Sequence, residues 1–139
     1  MNTPLHALIV EDSEDDAFLL LRELQKGGFT TVSERVETPE AMAAALEKQA
    51  WDVIISDYVM PHFDGLSALK LLQGKKLDIP FIIVSGKIGE ETAVEAMKTG
   101  AHDYLTKGNL QKLSTAVRRE LQNAEARQNY RRMAGALRE

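Results

Sequence analysis

The chain has 139 residues, 44% of them hydrophobic and 27% charged, and no cysteine. That suffices for a one-domain core and excludes a disordered polar chain, a disulfide scaffold and a thiolate metal site. A net charge of −4 argues against a general nucleic-acid-binding surface, and no apolar run approaches the roughly 20 residues of a membrane span.

The first residues, Met1-Asn2-Thr3-Pro4-Leu5, lack the basic start and apolar core of a secretion signal. Leu5-His6-Ala7-Leu8-Ile9-Val10 then forms a near-continuous apolar run ending in Glu11-Asp12, the pattern of a strand buried on both faces. Ser13 is placed to cap the next helix, with Asp16 three residues on in a box-like arrangement. Glu14, Asp15 and Asp16 are accounted for by the positive end of the helix dipole. Phe18, Leu19, Leu21 and Leu24 give this helix its apolar side, and Gly27-Gly28 stops it.

Residues Thr30 to Val36 read as a weaker, more exposed second strand. Thr38 caps a second helix with Pro39 at its first position and Ala41, Met42, Ala45 and Leu46 inward. Trp51 to Ser56 is a third strand. It runs into Asp57 and a loop holding Pro61 and Gly65. Leu66, Leu69, Leu71 and Leu72 mark a third helix ending near Gly74. Pro80 to Val84 is a fourth strand ending at Ser85-Gly86. Glu90 to Lys98 is a fourth helix with Ala93, Val94 and Met97 inward. His102 to Thr106 is a short fifth strand ending at Lys107.

A long helix starts at about Leu110, with Leu113, Val117, Leu121 and Ala124 on one stripe. Ala126, Tyr130, Met133 and Leu137 continue a stripe offset from the first. Either the helix frays after about Ala124, or it continues as an arm. This gives one domain over residues 1–124 and a helical extension over 125–139. Six arginines against three glutamates between Arg118 and Glu139 read as a solvated face.

Strands alternating with helices predict a parallel sheet covered on both sides. The first, third and fourth strands are the most apolar, which places them centrally, in the doubly wound order 2-1-3-4-5.

Four of the five strands end in a residue with chemistry: Glu11-Asp12, Asp57, Ser85 and Lys107. Each alone has a plain explanation, as a cap, a turn residue or surface charge. In a parallel sheet all four converge on one edge. Clustered carboxylates repel one another unless a cation joins them. Mg2+ suits such a cluster, because it takes one or two carboxylates, keeps waters and bridges to phosphate. With metal and Lys107 present, the site has positive charge to spare for an added dianion. Asp57 can then serve as a carboxylate nucleophile that accepts a phosphoryl group. Ser85 can hydrogen-bond a phosphoryl oxygen, and Gly86 leaves room for a donor or a water.

The chain resembles the receiver domain of bacterial two-component response regulators. The resemblance rests on Ile9-Val10-Glu11-Asp12, on Asp57-Tyr58-Val59-Met60-Pro61 with Gly65, on Val84-Ser85-Gly86, and on Gly100 through Lys107. It spans roughly residues 5 to 124. It implies a flavodoxin-like receiver fold and phosphorylation of Asp57 by a sensor histidine kinase or histidine phosphotransfer protein. It further implies Mg2+ held by Asp12, Asp57 and the Val59 carbonyl, with Glu11 touching it directly or through water. Lys107 would pair with Asp57 and then with the phosphoryl group, and Ser85 with Tyr104 would form a switch. The implied location is cytoplasmic, with no membrane or direct nucleic-acid partner and a downstream effector the sequence does not name. The fourth helix, fifth strand and last helix would form the face for partners or a homodimer. Gly108 stands where the family usually has Pro, which would loosen the loop or place Lys107 differently. Glu11 replaces the commoner Asp.

Other functions fit less well. A phosphatase with an aspartate nucleophile would want a second acid two residues on, where Val59 stands. A degenerate receiver-like module that takes no phosphate is opposed by the acid pair, Asp57, Ser85 and Lys107 together. A flavin carrier would need a hydroxyl- and glycine-rich loop after the first strand, and Gly86-Lys87-Ile88-Gly89 lacks a phosphate-loop pattern. The domain is therefore expected to catalyse only its own phosphorylation and dephosphorylation. His6, His62 and His102 form no ligand pattern.

Overall fold

The computed structural model describes residues 2–86 and 89–138, with side chains to residue 136. Met1, Lys87, Ile88, Glu139 and the side chains of Leu137 and Arg138, included in the readings above, lie outside the described residues. The elements in order are β1 (Thr3–Val10), α1 (Glu14–Lys26), β2 (Phe29–Val36), α2 (Pro39–Lys48), β3 (Val53–Ser56), α3 (Gly65–Gly74), β4 (Phe81–Ser85), α4 (Glu90–Thr99) and β5 (Asp103–Thr106). A 3₁₀ turn over Lys107–Lys112 then leads into α5 (Leu113–Arg138). The strands form one parallel sheet in the order β2-β1-β3-β4-β5.

Strand pleating divides the apolar runs between two cores. Leu5, Ala7 and Ile9 of β1, Val53 and Ile55 of β3, and Ile82 and Val84 of β4 pack with Leu20 and Leu24 of α1 and Leu113 and Val117 of α5. Leu8, Val10, Ile54, Phe81 and Ile83 face the other way, onto Met42 and Leu46 of α2, Leu69 of α3 and Ala96 of α4. The three central strands are buried on both faces, as their unbroken hydrophobicity requires.

Two helices bury part of the stripe expected of them, Leu24 in α1 and Ala93 in α4, and turn its bulkiest members outward. In α1 the buried residues are Ala17, Leu20 and Leu24, while Phe18 and Leu19 are exposed. In α4 the inward residues are Ala93 and Ala96, while Val94 and Met97 are 48% and 41% exposed. In both, small alanines seat the helix against the sheet, and larger apolar residues one position away along the helix turn outward. The last helix begins at Leu113 rather than near Leu110, because a 3₁₀ turn containing Gly108 and a non-helical Asn109 intervenes.

The α5 helix does not stop at the edge of the core. Ala124 is buried, and beyond it Arg127 and Arg131 both grip Asp78 in the α3–β4 connection, at 3.0 and 2.7 Å. Burial of Asp78 works against its charge, but these two guanidiniums more than offset it and hold its carboxyl below the usual range.

At the amino-terminal edge of the sheet, His102 closes the gap between β4 and β5. Its Nδ1 accepts from the Phe81 N–H at 3.0 Å, and the His102 backbone N–H donates to the Phe81 carbonyl at 2.9 Å. Burial lowers the His102 pKa, and the nearby Arg127 lowers it further, against the opposing charges of Glu120 and Asp78. The folded state therefore favours the neutral ring, whereas the unfolded chain takes up a proton below its ordinary value of 6.5. Stability contributed by this residue is full above that value and lost as the pH falls below it. Chemical denaturation from about pH 7.5 to about pH 5.5 should show a fall in midpoint that is shallower in His102→Asn.

Candidate functional site

The site is built by register. β1 and β3 are neighbours with Val10 opposite Ser56, so Glu11 and Asp57 leave the same edge side by side. The Asp57 N–H donates to the Val10 carbonyl at 2.9 Å, and the Glu11 N–H to the Val36 carbonyl at 3.0 Å, extending the ladders past the last regular residues. Asp57 and Glu11 are thus fixed by backbone bonds and nearly inaccessible, with Asp12 beside them exposed. One oxygen from each of the three carboxylates lies within 4.8 Å of the others.

The loop after Asp57 is drawn tightly onto α3. The Gly65 N–H donates to the Tyr58 carbonyl at 2.8 Å. A Cβ at residue 65 would lie only 2.6 Å from the Asp57 carbonyl oxygen and 3.0 Å from the Tyr58 Cα, so glycine is required by the close approach. Asp64 caps α3 by accepting from the Ser67 N–H at 2.8 Å. The Tyr58 N–H donates to Asp57 Oδ1 at 2.7 Å, which leaves Oδ2 turned to the acid cleft.

Lys107 reaches that cleft across the sheet edge. Its Nζ lies 3.3 Å from Asp57 Oδ2, 3.2 Å from Glu11 Oε2 and 2.5 Å from Asp16 Oδ2. Gly108 has not turned it away. Burial alone would lower the Lys107 pKa, but the bond to Asp16 and the charges of Asp57 and Glu11 more than offset it and raise it above the ordinary lysine value. Asp16 is the member that sequence reading missed. The capping box is only half formed. Ser13 Oγ accepts from the Asp16 N–H at 3.2 Å, but the Ser13 N–H donates to Glu11 Oε1, also at 3.2 Å. The Asp16 carboxylate is therefore not used by its own helix.

Glu11 carries the electrostatic stress. Burial, then the charge of Asp57, pushes its carboxyl up to about 7, against the lowering effects of the Ser13 N–H and Lys107. Among the described residues its buried Oε2 has no hydrogen-bond partner, and Lys107 stands 3.2 Å away as an ion pair. An orphaned carboxylate oxygen beside two other carboxylates, all hard oxygen donors, fits a divalent cation such as Mg2+.

Among the described residues, no side-chain hydrogen bond or ion pair joins the remaining candidates to this cleft. Ser85 ends β4, buried, and the register sets it one residue beyond the level of Asp57. Tyr104 pairs with Ile83 on β5 and is 36% exposed, lining a groove with Ala93, Val94 and Met97 of α4. Val59 follows Asp57 in the loop with its side chain exposed.

Comparison with known proteins gives a consistent result. Residues 7–118 match the family model described as the response regulator receiver domain. The transcriptional regulatory protein RprY of Bacteroides fragilis is 29% identical over 130 residues, covering 93% of this chain and 54% of that protein. PrrA of Mycobacterium tuberculosis, another transcriptional regulatory protein, is 33% identical over 105 residues, covering 76% and 44%. The chain thus spans about half the length of these curated relatives. Among solved structures, the signal receiver domain of a histidine kinase from Syntrophus aciditrophicus aligns with a TM-score of 0.72 at 32% identity, over 86% of this chain and 91% of that one. The receiver domain of the Francisella response regulator 1452 aligns at 0.74 and 27% identity, over 86% and 98%.

Two outcomes follow from the geometry. Glu11→Gln should stabilise the metal-free protein by roughly 1–2 kcal/mol at about pH 8 and by little at about pH 5, where the native carboxyl is already protonated. Urea titrations in chelator at the two pH values measure the difference. Gly65→Ala should cost roughly 1–3 kcal/mol by the same method. Gly74→Ala, where an added methyl meets nothing within 4 Å, should cost nothing.

Proposed function

Because the chain belongs to the response regulator receiver family, we propose that it is a phosphorelay module that accepts a phosphoryl group on Asp57 from a sensor histidine kinase or a histidine phosphotransfer protein. The observation that carries this reading is the Asp57 carboxylate itself. It is held rigidly at the carboxyl edge of the sheet, with a lysine ammonium 3.3 Å from Oδ2 and two further carboxylates beside it.

In the proposed step an Asp57 oxygen attacks phosphorus, and the bond from phosphorus to the donor's imidazole nitrogen breaks. Its electron pair stays on that nitrogen, and an acyl phosphate remains on Asp57. Asp12, Asp57, the Val59 carbonyl and Glu11 would hold Mg2+, which when bound offsets charge on the phosphoryl oxygens. Lys107 supplies a second positive charge, and the Ser85 hydroxyl would donate to a phosphoryl oxygen. The Tyr58 N–H keeps Oδ1 oriented throughout. Hydrolysis of the acyl phosphate would return Asp57 to its resting form, so the domain turns over no external product.

In the same reading residues 1–124 form the receiver, and 125–139 extend its last helix. The domain acts in the cytoplasm, and the outcome of phosphorylation is read on α4, β5 and α5 by a downstream effector or a second copy. Ser85 moving toward the phosphoryl group would free the space into which the Tyr104 ring turns.

Intact-mass measurement with Mg2+ and acetyl phosphate tests the acceptor role. A single phosphate adduct is expected, absent in Asp57→Asn and absent with chelator. No adduct together with no detectable Mg2+ binding would leave a degenerate interaction module, and steady hydrolysis of unrelated phosphate esters would indicate an enzyme. For the switch, hydrogen exchange across residues 90–121 should change when a phosphoryl mimic binds, and unaltered exchange would remove the proposed output face.

A further inference from the structure

Lys107 is shared unequally among its partners. The shortest of its three ion pairs is to Asp16 at 2.5 Å, against 3.2 Å to Glu11 and 3.3 Å to Asp57. Asp16 lies in the first turn of α1, ninety-one residues away in sequence. Nothing in its own helix requires its carboxylate. Ser13 Oγ takes its N–H, and Glu11 takes the Ser13 N–H that a full capping box would have given back to it. Gly108 follows Lys107, and a Cβ there would touch only Thr106 Oγ1, at 4.0 Å. A lysine is a point charge on a flexible four-carbon stem, so its position is set by the acids that hold its ammonium.

We infer that Asp16 is a positioning residue that holds the Lys107 ammonium on the α1 side of the cleft and competes with Asp57 for it. This rests on the phosphoacceptor reading for its consequence, though not for its geometry. Asp16 is the most exposed of the three partners, at 36% for its side chain against 9% for Asp57 and 1% for Glu11. Water can therefore replace Lys107 at Asp16 at less cost than at the other two acids. When a dianionic phosphoryl group forms on Asp57, Lys107 gives up part of its bond to Asp16 to meet it. The Asp16 carboxylate thus sets a threshold that phosphorylation has to overcome, and the first turn of α1 becomes part of the reactive centre.

Asp16→Asn keeps the size and the capped N–H while removing the charge, and Asp16→Glu restores the charge. The Lys107 ammonium resonance, followed by 15N NMR of the full chain, should move in Asp16→Asn and return toward its original position in Asp16→Glu. Adduct formation with acetyl phosphate and Mg2+ should be about three-fold to five-fold faster in Asp16→Asn, the scale of one partly exposed ion pair. The gain should vanish when Lys107→Ala is added. An unmoved Lys107 resonance overturns the inference, as does an unchanged rate, or a gain that persists without Lys107, since that would be a direct charge effect. If the native chain takes no phosphate at all, the acceptor reading fails, and the Lys107 resonance alone decides whether Asp16 positions it.

Discussion

Among the described residues, one ammonium stands against four carboxylates at the carboxyl edge of the sheet, and the rest of the structure is arranged around that imbalance. Glu11 and Asp57 are almost inaccessible, Asp16 is partly exposed and Asp12 is exposed. Lys107 touches three of the four. Gathering like charges in a poorly solvated place is unfavourable, and left alone the chain would spread them into water. It is prevented from doing so because the strands that carry them are buried on both faces and locked in register. The hydrophobic cores thus sustain an electrostatic strain at their rim, which reaches Glu11 as a carboxyl reluctant to ionise. Under the proposed function such a site takes up a divalent cation and then a phosphoryl group.

The same edge is supported by contacts that do no chemistry. Gly65 lets α3 press on the backbone of Asp57, so the loop cannot relax outward. Ser13, Glu11 and Asp16 share the hydrogen bonds of the α1 entrance in a way that frees one carboxylate for Lys107. At the far edge, His102 pins the starts of β4 and β5 together, which keeps their ends aligned where Ser85 and Lys107 emerge.

Most of the fold was legible in the chain because burial on two faces leaves uninterrupted apolar runs, and because parallel strands need helices between them. The strand ends were legible for the same reason, since a polar residue closing an apolar run is conspicuous. Helix phase was less legible. In α1 and α4 the chain places alanines next to bulky apolar residues, and ranking by hydrophobicity adds Phe18, Val94 and Met97 to the inward set where close packing takes Ala17 and Ala96 beside the expected Leu24 and Ala93. Asp16 was hidden by a sufficient local explanation. An acid in the first turn of a helix needs no further partner, and only the three-dimensional path of Lys107 supplies one. The geometry at Gly108 could not be read either, because a glycine widens the backbone's options without choosing among them.

The two-point hold of Arg127 and Arg131 on Asp78 gives α5 a property that its length alone would not. The helix is already seated by buried Leu113, Val117 and Ala124. Two guanidiniums one turn apart, closing on one carboxylate, key it like a splined shaft. Tyr130 and Met133, 74% and 66% exposed beyond the core, therefore keep a fixed bearing relative to the sheet. A change in the seating of α5 against the core would reach them as a rotation.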